Sequence, residues 1–238
     1  MDRLELLRAI GAGRRAFPGV DLKGLRMSGQ SIESIDLRGA TLDNAAFTAC
    51  RCLEVDFVNV SFDGAVLRNA LFRSCDLSGA RFFDAELTGA DFTGCKMVGA
   101  DFTGALNLGD AVLGSCNLRG AVLRAQLLTD LHLVGADLTE ADLTGAELIG
   151  GRLRTARFEL AILAGADLRR ADLRDVNFRE ADLQGADLRE VEGERADFRG
   201  ADLRGARFER ALLSGADFRG AKLAPNALDA AGTVGAIF

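Results

Sequence analysis

The sequence predicts an all-β fold, a four-sided solenoid of five-residue units stacked as a parallel β-helix of about ten coils. Three observations predict it. A large apolar residue recurs every five positions, a small one stands two residues before it, and phenylalanines recur every twenty. The central residues run Leu22, Met27, Ile32, Leu37 and onward to Phe102, slip by one, resume at Leu108 and continue to Leu223. Of 41 such positions 36 are Leu or Phe, and 25 of the 41 positions two residues earlier are Ala, which excludes chance.

A period of five fits neither a helix, at about 3.6, nor a flat strand, at about 2. It needs a path in which two of five side chains point inward, as in short extended segments joined by tight turns. Glycines two residues after the centre (Gly24, Gly39, Gly89, Gly145, Gly200, Gly220) suit those turns. Phe62, Phe82 and Phe102 are twenty apart, as are Phe158, Phe178, Phe198 and Phe218. Four units therefore close one coil, and like stacks on like. At ~4.8 Å per coil the rod is about 50 Å long.

The ends depart from the repeat. Residues 1–17 are expected to form a helical cap, with Leu4, Leu7 and Ile10 on one face and Asp2 and Glu5 at capping-box spacing. A membrane-surface helix is the competing reading, but the segment is short and weakly basic for that. The solenoid is expected over 18–225, and 226–238 as a C-terminal cap or dimerisation tail, its apolar Val234, Ile237 and Phe238 being candidates for a dimer seam. Short helical caps are expected at both ends. The slip is placed near Ala105–Asn107 as a corner bulge, because a central Leu108 keeps Asn107 out of the core. In the unit Val191–Arg195 the central residue is Gly193, which predicts either a small void or an outward bow.

The runs ADLTEADLTGAEL (136–148) and ADFRGADLRGARF (196–208) resemble the A(D/N)Lxx pentapeptide-repeat family. The resemblance covers about residues 20–225 and implies a right-handed quadrilateral β-helix. The N-terminal half, with Phe62, Phe72, Phe82, Phe92, Cys75 and Cys95, also resembles the Qnr/MfpA/AlbG group. That group implies a dimeric, acidic, duplex-DNA-like rod, joined through its C-terminal coils, that binds DNA gyrase and protects it from topoisomerase-targeting antibiotics.

Chemistry finds little footing. All five cysteines fall on inward positions, where small buried thiols replacing Ala explain them and no disulfide is expected. The single histidine, His132, is expected on the outside without a nucleophile or ligand partner. No phosphate loop, dinucleotide fingerprint or metal-ligand spacing is present. The expectation is a non-enzyme with no catalytic, cofactor or metal residues.

The net charge is −6, and neither half is basic, so direct nucleic-acid binding is not expected. No apolar stretch approaches a membrane span and the first residues lack a signal-peptide pattern, which makes the cytoplasm the default compartment. Asp precedes the centre in 15 units and Arg follows it in 13, and seven units carry both. Stacking turns these into charged columns that need opposite charge nearby. The expected function is a rigid protein-interaction scaffold; the alternative is a DNA mimic that binds gyrase. Interaction candidates are Glu190, Glu192 and Glu194, clustered at the Gly193 unit, and Asp182 and Asp202.

Overall fold

The computed structural model describes residues 1–238. Its backbone pairs with itself at a fixed offset. Asp21 pairs with Thr41, Thr41 with Ser61, Ser61 with Arg81 and Arg81 with Asp101, all in parallel. Three further columns repeat the pattern, starting from Arg26, Ser31 and Ala16. These four columns define the first, second, third and fourth faces of the rod. On the third face the pairing widens into three short strands, β1 (Ser31–Glu33), β2 (Arg51–Leu53) and β3 (Leu71–Arg73), in one parallel sheet ordered β1-β2-β3.

One unit shows why five residues suffice. Ala136 and Leu138 are fully buried, while Asp137 between them points out. The Asp137 N–H donates to Cys116 O at 2.9 Å and the Leu138 N–H to Arg157 O at 2.7 Å, tying the coil to those before and after it. Asp137 Oδ1 then accepts the Thr139 N–H at 3.0 Å, and Glu140 turns the corner at φ 63°. The left-handed corner recurs along the rod and is not reserved for glycine: Thr155 (φ 58°) and Leu160 (φ 60°) adopt it too. Such residues carry a local cost of about 1–2 kcal/mol each, offset because every full burial of a Leu or Phe contributes about 1.5–3 kcal/mol.

Stacking in register makes the core. Phe62, Phe82 and Phe102 lie nearly parallel with ring centres 5.4 and 4.8 Å apart, and Phe158, Phe178, Phe198 and Phe218 repeat this at 5.2, 5.2 and 5.0 Å.

The N-terminal end is closed by α1 (Arg3–Gly11). Asp2 Oδ1 accepts the Glu5 N–H at 2.8 Å, the Asp2 N–H donates to Glu5 Oε2 at 2.9 Å, and Leu6 is buried under the helix. Ladder pairing already begins inside residues 1–17: Ala16 pairs with Asp36, and Phe17, twenty residues before Leu37, is buried. The C-terminal end corrects the expectation of a second helical cap. Pro225, which has no N–H to donate, and Asn226 at φ 63° take the chain into turns over 225–230. The chain then rejoins the coil, Gly232 pairing with Leu212 and Ile237 with Asp217, while Phe238 stacks on Phe218 at 5.6 Å.

At Gly193 the ladder is intact, its N–H donating to Leu212 O at 2.7 Å, so the unit does not bow outward. Leu213 of the next coil leans into the vacated space: a Cβ added at Gly193 would lie 2.9 Å from Leu213 Cδ2. Restoring the missing large residue as Gly193→Leu is therefore expected to destabilise the rod by about 1–3 kcal/mol through overpacking. Denaturant melts of the two chains measure this, and a stabilised variant would show an empty space instead.

Candidate functional site

Part of the outer surface neutralises itself within single units. In all seven units with Asp before the centre and Arg after it, the arginine folds back onto its own aspartate. Arg38 on Asp36, Arg169 on Asp167, Arg174 on Asp172 and Arg189 on Asp187 each donate from Nε and Nη2, and the arginine's backbone N–H donates to the same carboxylate. Arg199, Arg204 and Arg219 do the same with Asp197, Asp202 and Asp217. A fork of this kind matches the planar guanidinium to both carboxylate oxygens. Several arginines also reach the next coil, Arg38 to Asp56 at 3.4 Å and Arg199 to Asp217 at 3.6 Å.

The acidic candidates do not form one cluster. Asp182 and Asp202 pair with each other on the first face. Glu190 sits at a corner of the second face between Arg170 at 3.2 Å and Arg210 at 3.7 Å. Glu192 is on the third face, 3.4 Å from Arg174, and Glu194 follows Gly193 on that face with a buried Oε2 that meets no donor. Asp202 is closed off by Arg204 at 2.6 Å and Lys222 at 3.5 Å. Val234, Ile237 and Phe238 are exposed on the last coil, Val234 on the third face after Gly232 and Ile237 on the fourth.

The surface departs from this regularity at the slip. Asn107 is the extra residue, exposed and left-handed (φ 56°), with its Nδ2 held by Glu86 Oε1 at 2.9 Å. Leu108 is buried and opens a 3-10 turn, Leu108–Asp110. Between the start of the ladder and Lys222, Leu106 and Leu127 are the one neighbouring pair that does not bridge. The N–H groups of Leu108 and Leu127 and the carbonyls of Ala105, Leu127 and Thr129 have no backbone partner there. Gly109 lets the coils stay in touch, since a Cβ on it would press within 3.2 Å of the Leu127 and Thr129 carbonyl oxygens.

A recess of about 560 Å³ opens over this gap. Its walls include Leu106 and the strongly exposed Leu127 (66%), and Asp110 is the one charged side chain among its lining residues. Gln126 lines it as well. That residue occupies an inward position usually held by Ala, is only 8% exposed, and its side-chain amide makes no hydrogen bond within the chain. The sequence carried the signal: apart from Gln30 in the first coil, Gln126 is the only Gln at an inward position, and it follows the slip by one coil.

Comparison with known proteins fits this architecture. Pentapeptide repeats match residues 50–89, 85–106, 107–145, 127–159, 152–190 and 194–224. The chain belongs to the pentapeptide-repeat family. Among solved members, HetL from the cyanobacterium Nostoc sp. strain PCC 7120, described as involved in heterocyst differentiation regulation, is 29% identical over 100% of this chain and 92% of its own, with a TM-score of 0.41. A trypsin-treated form of QnrB1, described as a plasmid-mediated fluoroquinolone resistance protein, is 24% identical over 82% of this chain and 90% of its own, at 0.50. The latter likeness shows a shared fold. No curated protein matches the sequence.

In this pentapeptide-repeat protein no three His, Cys, Asp or Glu residues converge to hold a metal, and no helix is long and apolar enough to cross a membrane. The five thiols are free and buried; Cys116 donates to Phe92 O at 2.9 Å, and burial pushes its pKa up to about 12. His132 lies half-buried on the third face with Nδ1 unpartnered. The surface carboxyls shift the other way. The Arg204 fork holds Asp202 at about 2 against an ordinary 3.8, and the Arg219 fork does the same for Asp217. Carboxyls held below their unfolded value stabilise the fold fully above that value, and the contribution is lost as pH falls through the folded one. The melting temperature is therefore expected to be flat from neutral pH to about 4 and to drop between about 4 and 2. A thermal melt series in pH checks this, and a loss beginning near pH 6 would contradict it.

Proposed function

We propose that this chain is a non-catalytic protein-interaction scaffold. The observation that carries the reading is the division of labour in its side chains. The inward positions pack into one apolar core, and the outward charges are mostly spent on each other. What remains for recognition is shape: flat, regular faces with local departures. Regular solenoids offer extended surfaces of this kind. Affinity capture from host lysate is expected to recover a saturable protein partner, and capture of none would sink the scaffold reading.

The gyrase alternative asks for a phosphate-like face. Here arginines are interleaved with the stacked aspartates, and Asp36, Asp167, Asp197 and Asp217 are forked by Arg38, Arg169, Arg199 and Arg219. The purified rod is therefore expected to leave gyrase supercoiling unchanged and to give no protection against quinolone-stabilised cleavage. Protection in that assay would transfer the assignment to the topoisomerase.

A second copy of the chain is the partner we propose for the last coil. Val234, Ile237 and Phe238 are exposed apolar side chains there, and Phe238 helps to line a second recess of about 440 Å³. Light scattering is expected to show a dimer that the double variant Val234→Asp, Ile237→Asp converts to monomer. An unchanged mass for both chains would remove the seam.

A further inference from the structure

We infer that the recess over the slip is the seat of the scaffold's partner, and that it takes an uncharged, extended peptide segment bearing an aliphatic side chain. The inference deepens the scaffold reading and rests on it. Four independent features converge. The ladder lacks its Leu106–Leu127 bridge, so backbone donors (Leu108 and Leu127 N–H) and acceptors (Ala105, Leu127 and Thr129 C=O) stand unpaired beside one another. Unpaired strand groups of this kind are what a peptide backbone recognises.

Gln126, a largely buried residue whose amide has no partner within the chain and opens onto the recess, can give one hydrogen bond and take another. A partner that covers the recess must match this amide or leave it buried without a hydrogen bond, and that requirement is selective. Leu106 and Leu127 supply apolar walls at an exposure uncommon for leucine, and the exposed Phe83 ring extends the patch over Gly104, whose added Cβ would lie 3.2 Å from it. Finally, the lining is poor in charge. Residues 102–136 carry only Asp110, Arg119, Arg124 and Asp130, on a chain otherwise dense in ion pairs. Asp110 is the one charged side chain in the lining, and at its rim stand Glu86, paired with Arg68, and Asp84, so an anionic segment finds no counter-charge here. A neutral amide with an aliphatic side chain meets every group on offer.

The test uses the full chain, isotopically labelled and followed by NMR. It is titrated with a capped neutral tripeptide, acetyl-alanyl-leucyl-alanyl amide. Saturable shifts are expected at the Gln126 side-chain amide and at the Leu108 and Leu127 backbone amides. Gln126→Ala installs the residue most inward positions already carry, so it is expected to fold, and to weaken binding about tenfold. Leu127→Ser, on the exposed wall, is expected to weaken it as well.

Three results would each overturn the inference. One is shifts confined to other faces, another is equal affinity for the Gln126→Ala chain, and the third is equal affinity for N-methylacetamide, which carries the amide without the side chain. Failure of the tripeptide while lysate capture still yields a partner indifferent to Leu127→Ser removes this seat and leaves the scaffold standing. Tripeptide binding with no partner captured supports the seat and removes the scaffold.

Discussion

Everything in this molecule depends on keeping twenty residues per coil. The paired backbone, the stacked phenylalanines and the nested inward alanines all require that a residue sit directly on its counterpart in the coil before. One inserted residue is therefore a large event. At Asn107 the chain absorbs it outside the core, with a left-handed backbone that asparagine tolerates and an amide clipped to Glu86, and Leu108 remains buried. The cost appears as a single missing bridge, one coil deep. Below and above it the columns continue, now offset by one residue, as Asp91 with Val112 and Asp101 with Val122 show.

The same register constraint explains the surface. Stacking would place like charges on top of one another, as it does for Asp182 on Asp202 and Asp197 on Asp217. In seven units the compensation is internal: the aspartate that accepts the turn's backbone N–H, as Asp197 does, also receives the fork of the arginine two residues on. A carboxylate used in this way stabilises the corner and is little exposed to a partner.

Much of this was legible in the sequence, because each position has one environment used many times. The period gave the inward set, the spacing of Phe158, Phe178, Phe198 and Phe218 gave the number of sides, and Leu108 placed the bulge. What was not legible depends on neighbours one coil away. That Leu213 reaches into the space left by Gly193 cannot be read from its own unit. The acidic cluster at 190–194 looked continuous along the chain, yet the corner after Glu190 turns it onto two faces. Phe17 and Phe238 both sit at the twenty-residue spacing from Leu37 and Phe218, and were obscured because the units around them lose the small-residue pattern. Gln126 is the most telling case: a polar residue at an inward position means little until the bulge beneath it gives its amide somewhere to face.

The central claim is that the ladder is continuous except at the slip, and that this interruption is built into the native fold. Native-state hydrogen exchange resolved by residue measures it directly. The Leu108 and Leu127 amides are predicted to exchange much faster than those of Leu87 and Leu128, which donate to Leu106 O at 2.9 Å and Glu147 O at 2.8 Å. Equal protection at all four would mean that the coils close over the slip, and would contradict the account.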